Sequence, residues 1–317
     1  FALCALYLAA AIQFGFIQYW HILVVALISG TTGAIEMPTR QSVISRVVPP
    51  ELLPKAIPLN AMTFNLARIV GPAIGAVLLA AIGPQACYLV NGLSYTALIV
   101  AALAIRTDLS AAERAPQPIM DLLFEGMLYT WRDKRLRTLF ILETILATFG
   151  LIYLPLMPAI AKNALGLGEV GLGWAMTSVG VGAISGLVLM TRLSHLPWRA
   201  TSVRLAMTVF GAAMAILAIA RSPLLAFPVL ALMGMTAIVH FNTTNTLFQV
   251  LSPEHLRGRV LAMHVWALAG IGPFGILAAG SLAQSTSLQF VLGAGAGLVL
   301  LGAGWGWLQG GAMQGVE

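Results

Sequence analysis

Pro50-Glu51-Leu52-Leu53, followed by Gly71-Pro72 and Gly75, recurs later in the chain as Pro253-Glu254-His255-Leu256, followed by Gly272-Pro273 and Gly275. The Pro-Glu pairs lie 203 residues apart and the Gly-Pro pairs 201, so a slip of two residues aligns them. Each copy leads into an apolar run long enough to cross a bilayer. A helical hairpin repeated in the same direction is the pattern of a membrane transporter built from two similar halves.

Composition fixes the solvent around that repeat. Of the residues, 59% are hydrophobic and 9% charged, and the mean hydropathy is +0.91; a soluble domain carries about 25% charged residues. The charges bunch between apolar runs of roughly 17 to 25 residues. Ten such runs are read, at 1–17, 20–45, 56–82, 86–105, 138–160, 170–191, 203–220, 223–249, 259–283 and 287–308. Hydrocarbon offers the backbone no water, so runs of this length predict helices, whereas barrel strands would be shorter and would alternate. The expected fold class is an all-α membrane protein.

Moved back by 203 residues, the last four runs fall on the first four. The runs at 138–160 and 170–191 would have their counterparts before Phe1. The pattern therefore predicts twelve spans in two pseudo-symmetric bundles, ten of them in this chain, with about 65 residues preceding it. The division expected is a first bundle over 1–105, a linker over 106–137 and a six-helix bundle over 138–317.

Within the linker, Thr107 to Pro118 reads as loop. Ile119, Met120, Leu123, Phe124, Met127, Leu128 and Trp131 then recur at helical spacing, ahead of Arg132, Lys134, Arg135 and Arg137. That predicts an amphipathic helix on the membrane surface, its basic end facing anionic headgroups. With this linker on the cytoplasmic side, that side holds fourteen of the seventeen Lys and Arg, while Lys162 and Arg221 lie opposite and Arg68 lies within a span. This asymmetry orients the chain, with the long central loop and the C-terminus cytoplasmic. The net charge of +6 is thereby explained by topology, and no nucleic-acid partner is expected. Cys4 and Cys87 fall inside spans, have no CxxC or Cys/His partner, and read as packing residues.

Arg68 stands out on physical grounds. A guanidinium near mid-helix costs about 2.5 to 3.5 kcal/mol on insertion scales, so it needs a partner. Glu36 is the expected one: counted inward from their shared loop, both lie roughly 15 to 18 Å deep. The pair reads either as a permanent structural ion pair or as a coupling site. Glu143 is a second acidic candidate, only roughly 8 Å from a boundary and thus able to reach the interface. Asn242, Asn245 and Gln249 share one helix face, with His240 and Thr244 nearby. Their amides would either bind a polar group of a substrate or bond between helices. His240 and His264 would titrate in a relay or serve as core hydrogen-bonding residues.

The segment Ala67-Arg68-Ile69-Val70-Gly71-Pro72-Ala73-Ile74-Gly75-Ala76 places glycines four apart beside a proline, allowing close helix contact and a bend. It resembles the GPxxG element on the fifth helix of antiporters of the major facilitator superfamily, with Ala76 where the fuller pattern has a second glycine. Leu256-Arg257-Gly258-Arg259-Val260 after Pro253-Glu254, Pro38-Thr39-Arg40-Gln41 before Val47-Val48-Pro49, and Glu125-Gly126-Met127 before Trp131 resemble its enterobactin-exporter-like, or transmembrane secretion effector, branch. That resemblance implies the major facilitator fold, a cell-membrane location (the inner membrane of a bacterium), and a monomer. It also implies a gating role for Gly71, Pro72, Gly75, Arg257, Gly258, Arg259, Gly272 and Pro273. The superfamily's Gly/Asp/Arg-rich turn has only Gly186, Arg192 and Arg199 as its second-half echo, without the aspartate.

Function follows as an expectation: a secondary transporter that exchanges protons for an exported apolar or amphiphilic small molecule, siderophore-like or drug-like. A gradient must supply the energy, since no GxxxxGK[ST] loop occurs. One proton moving down 100 mV provides about 2.3 kcal/mol. The rivals are a uniporter or a lipid flippase of the same fold. An intramembrane enzyme is disfavoured by the lack of HExxH, GxSxG or a histidine–aspartate pair at sensible spacing, and no cofactor or metal is implied.

Overall fold

The computed structural model describes residues 1–52, scattered positions from 53 to 81, and residues 82–105, 119–193, 199–253 and 256–310. Every element there is helical. Among the described residues, seven stretches are long and apolar enough to span a bilayer, and the apolar helices Ala2–Gln13 and Tyr19–Gly33 are shorter. The expected span at 56–82 lies mostly outside the described residues.

The chain divides into two compact units, Phe1–Arg114 and Ala115–Glu317. The first contains α1 (Ala2–Gln13), α2 (Tyr19–Val47) and α3 (Pro84–Leu103). Gly83, at φ +97°, and Pro84 together start α3, because glycine accepts the positive φ and proline preorganises the first turn. α1 packs on α3 where Gly92 faces Leu6, and the ring of Phe1 stacks on Tyr95 at 5.6 Å. Cys4 and Cys87 are free thiols, and Cys87 Sγ donates to the Gly75 carbonyl at 3.5 Å.

The second unit opens with α4 (Ile119–Arg132), which ends one residue before Asp133. Asp133 caps α5 (Lys134–Ile145), its carboxylate accepting from the backbone N–H groups of Arg135 and Leu136. The basic cluster expected at the end of one helix is therefore divided: Arg132 closes α4, and Lys134, Arg135 and Arg137 open α5. Burial raises the Asp133 pKa, but hydrogen bonds and charge from Arg135, with the Leu136 amide, outweigh it and hold the carboxyl below its usual range.

Beyond α5 the spine widens into a π-helical turn, Leu146–Gly150, then continues as α6 (Tyr153–Ala159) into a second π turn, Ile160–Ala164. Pro158 lies inside α6 and supplies no N–H to the ladder, so the hydrogen bond back to the Leu154 carbonyl is missing. Next come α7 (Glu169–Leu193), α8 (Arg199–Ile219), α9 (Pro223–Leu251) and α10 (Arg257–Val265). A third π turn, Trp266–Ile271, joins α10 to α11 (Gly272–Ser285). α12 (Leu288–Leu308) is capped by Ser287, whose hydroxyl accepts from the Phe290 amide.

Small residues set the packing. Gly182 and Gly186, four apart on α7, lie against the backbone of Ala231 and Met235 on α9, and Gly234 of α9 lies against Val179. No side chain intervenes, so the two helices approach as GxxxG pairs do in membranes. The core holds Tyr153, Phe210, Phe248, Met207 and Met214, all fully buried. Large apolar side chains also cover the outside, among them Leu224, Leu308, Leu301 and Phe274. In water such a surface would aggregate, whereas in lipid it is the expected exterior.

Candidate functional site

Among the described residues, the second unit buries one acid, and it has a histidine beside it. Glu143 on α5 is 0% exposed. Its Oε1 lies 2.6 Å from Nδ1 of His264 on α10. The two atoms meet off the line of a directed hydrogen bond, and Glu143 Oε2 has no hydrogen-bonding partner in the protein. A buried carboxylate without compensation is costly in hydrocarbon, so the imidazole is its counterpart. The interfacial placement expected for Glu143 is thus corrected. Depth counted from the start of the 138–160 run put it near the surface, but α4, α9, α10 and α12 all pack on α5.

Each member of the pair immediately precedes a π turn. Glu143 is three residues before Leu146–Gly150 and His264 two before Trp266–Ile271. The two turns contact each other. Gly275 abuts the Thr148 carbonyl oxygen, and a Cβ on Gly272 would stand 3.4 Å from that of Ala147. The second Gly-Pro element therefore holds the wide turn next to Glu143. Phe140 stacks on Trp266 at 5.9 Å and closes one side of the pair. The Phe248 ring, 6.1 Å from that of His264, closes another.

Phe248, Thr244 and His240 follow one another on a single face of α9 at i+8, i+4 and i. His240 is fully buried, with Nδ1 3.1 Å from the Val203 carbonyl of α8. Its Nε2 and the Thr244 hydroxyl have no hydrogen-bonding partner in the protein. The remaining polar groups predicted for this helix are tied to α9 itself. Asn242 Nδ2 donates to the Ile238 carbonyl at 3.1 Å, and Asn245 Oδ1 accepts from Gln249 Nε2 at 2.6 Å.

In the first unit Glu36 is paired with Arg40, one turn along α2, at 3.1 Å. Arg68, its expected partner, lies outside the described residues, as does Pro72. Gly71 is exposed and Gly75 half-buried, and neither has a described neighbour against a Cβ position. Pro273 opens α11 and is exposed. Arg257 and Gly258 are exposed at the start of α10, whereas Arg259 is half-buried and forms an ion pair with Glu125 of α4. Gly126, beside that acid, would place a Cβ 2.5 Å from the Arg259 carbonyl oxygen, so α4 lies directly on the α10 backbone.

The Glu143–His264 contact is the feature that sequence reasoning missed. The signal was present: Glu143 lies nine residues into α5 and His264 seven into α10, and at 1.5 Å per residue both are roughly 11 to 14 Å deep.

Membrane-length helices with an apolar exterior, and few buried ionisable groups among the described residues, define a multi-pass membrane protein. The sequence matches the transmembrane secretion effector family over residues 1–308, and the chain belongs to that family of the major facilitator superfamily, whose members are transporters and not enzymes. It is 28% identical over 231 residues to the multidrug efflux pump Tap of Mycolicibacterium fortuitum, covering 71% of this chain and 56% of that protein. The Tap pump of Mycobacterium tuberculosis is 28% identical over 234 residues, with 71% and 54% covered. The staphyloferrin A transporter of Staphylococcus aureus is 22% identical over 257 residues, with 81% and 64% covered. The chain thus spans little more than half the length of the Tap relatives. A solved structure of a bacterial homologue of the human lysosomal transporter Spinster, inward-facing and unoccupied, superposes with a TM-score of 0.70. That likeness covers 100% of this chain and 82% of that one at 11% identity, and it establishes the fold alone.

Proposed function

We propose that this protein is a proton-coupled exporter of an apolar or amphiphilic small molecule, working by alternating access between bundles 1–105 and 138–317, with 106–137 as a cytoplasmic linker. The relatives named for multidrug efflux and for a siderophore carry the reading, and the scarcity of buried charge in the second unit supports it. A charge-poor interior gives an amphiphile apolar surface to bind, with few polar groups to orient it. Arg257, Arg259 and the two Gly-Pro elements are the proposed gating residues, and Asn242 and Asn245 the proposed cargo contacts. The protein acts as a monomer in the cell membrane, with the long linker inside.

The test is efflux from cells expressing the full-length protein, over a panel of amphiphilic dyes and iron-chelating siderophores, with and without a protonophore. Export of at least one compound that stops when the proton gradient collapses is the expected result. Downhill movement indifferent to the protonophore would make the protein a facilitator and overturn the coupled reading.

A further inference from the structure

We infer that Glu143 and His264 together form a proton-carrying site within the second bundle, with His240 and Thr244 as its extension along α9. The inference rests on the export reading for its role but not for its existence.

The geometry isolates the site. The 2.6 Å contact makes the two side chains a single proton-binding unit. With one proton between them, as carboxylic acid and imidazole or as carboxylate and imidazolium, the unit is neutral. A second proton, taken from water on one side of the membrane, forms an O–H bond on the carboxylate while His264 keeps its N–H, and leaves a charge of +1. Releasing that proton to water on the other side breaks the O–H bond and restores neutrality.

Few other charges compete. α5 carries Lys134, Arg135 and Arg137 in its opening turns; Arg135 is occupied by Asp133. From α4, Glu125 is occupied by Arg259, while Arg132 is exposed. α10 adds the exposed Arg257, and α8 adds Arg204, which lies over the Trp307 ring at 4.8 Å and bonds to Ala200 and Thr201. From α9 the facing group is His240, whose Nε2 has no hydrogen-bonding partner in the protein. α11, α12 and the π turns at 146–150 and 266–271 bear no ionisable side chain.

The position gives the charge change something to act on. Both helices widen into π turns just past the pair, and such turns recur at functional sites because the helix ladder there has alternative registers. Protonating the carboxylate leaves a neutral acid beside an imidazolium, so the charge attraction that holds α5 to α10 is lost at the point where Gly272 and Gly275 clasp the first π turn. Protonation is thereby converted into a change of helix packing in the same bundle.

Two measurements on the purified full-length protein decide the matter. In infrared difference spectra between acidic and alkaline pH, a protonated-carboxyl band should titrate in wild type, vanish in Glu143→Gln, return in Glu143→Asp and move in His264→Gln. A spectrum unchanged by Glu143→Gln would overturn the site, whatever the protein transports. In proteoliposomes, gradient-driven accumulation of the best exported dye should fall about tenfold or more in Glu143→Gln and His264→Gln and recover in part in Glu143→Asp. Full accumulation in Glu143→Gln, with the protein monodisperse, would overturn it equally. If wild type accumulates no dye, the export reading fails, and the infrared titration alone decides the proton site.

Discussion

Gly275 lies against the carbonyl oxygen of Thr148, so close that no side chain fits between α11 and the π turn at 146–150. Gly280, on the same helix, faces open space. Adding a methyl at Gly275 forces the two helices apart, and overpacking of this kind costs about 1 to 3 kcal/mol. Gly275→Ala should lower the melting temperature in detergent, while Gly280→Ala leaves it unchanged. Equal melting of the two variants would show that the clasp contributes nothing.

The Glu125–Arg259 ion pair joins α4 to α10 at a partly exposed position. A pair this accessible is worth at most about 1 kcal/mol and weakens with salt. Gly126 is the more demanding contact, because its neighbour is backbone. Gly126→Ala should therefore raise protease sensitivity in the 106–132 segment more than Glu125→Gln does. The reverse order would mean that charge, not close approach, seats α4.

Asp133 caps α5 in a carboxylate form stabilised by Arg135. Its folded pKa is below the usual value, so the stability it contributes is complete above about pH 4, the ordinary aspartate range, and is lost as pH falls through the lowered value. Asp133→Ala should cost about 1 kcal/mol at neutral pH, the usual worth of such a cap. The difference between variant and wild type should shrink on acidification. A gap that widens in acid would contradict the assignment.

The charge asymmetry predicts the topology. With Cys4 and Cys87 replaced, a cysteine at Arg257 should react with a membrane-impermeant reagent only from the cytoplasm, and one at Lys162 only from outside. Swapped accessibility would invert the orientation and the direction of export inferred with it.

Much of the fold was legible because the signals are long. The apolar runs of 20–45, 170–191, 203–220, 223–249 and 287–308 reappear as α2, α7, α8, α9 and α12 to within a few residues. The run at 138–160 starts earlier, at Lys134, because Asp133 supplies a cap that hydropathy does not register. The site was less legible. Glu36 pairs with Arg40 through ordinary i,i+4 spacing, while Arg68, the partner expected for it, lies outside the described residues. The three π turns left no mark in the sequence, since a wide turn depends on what a neighbouring helix presses against it, as Gly275 does at Thr148. Glu143 and His264 were each noted singly. Their meeting depends on which helices become neighbours, and a hydropathy profile does not contain that.

The most direct test of the account is transport by the purified full-length protein in proteoliposomes under an imposed pH gradient, with dye and proton movements recorded together. The account predicts that dye accumulates in the compartment from which protons leave, that proton flux rises when dye is added, and that a protonophore abolishes both. Dye accumulation that survives the protonophore, or dye movement with no accompanying proton flux, would contradict it.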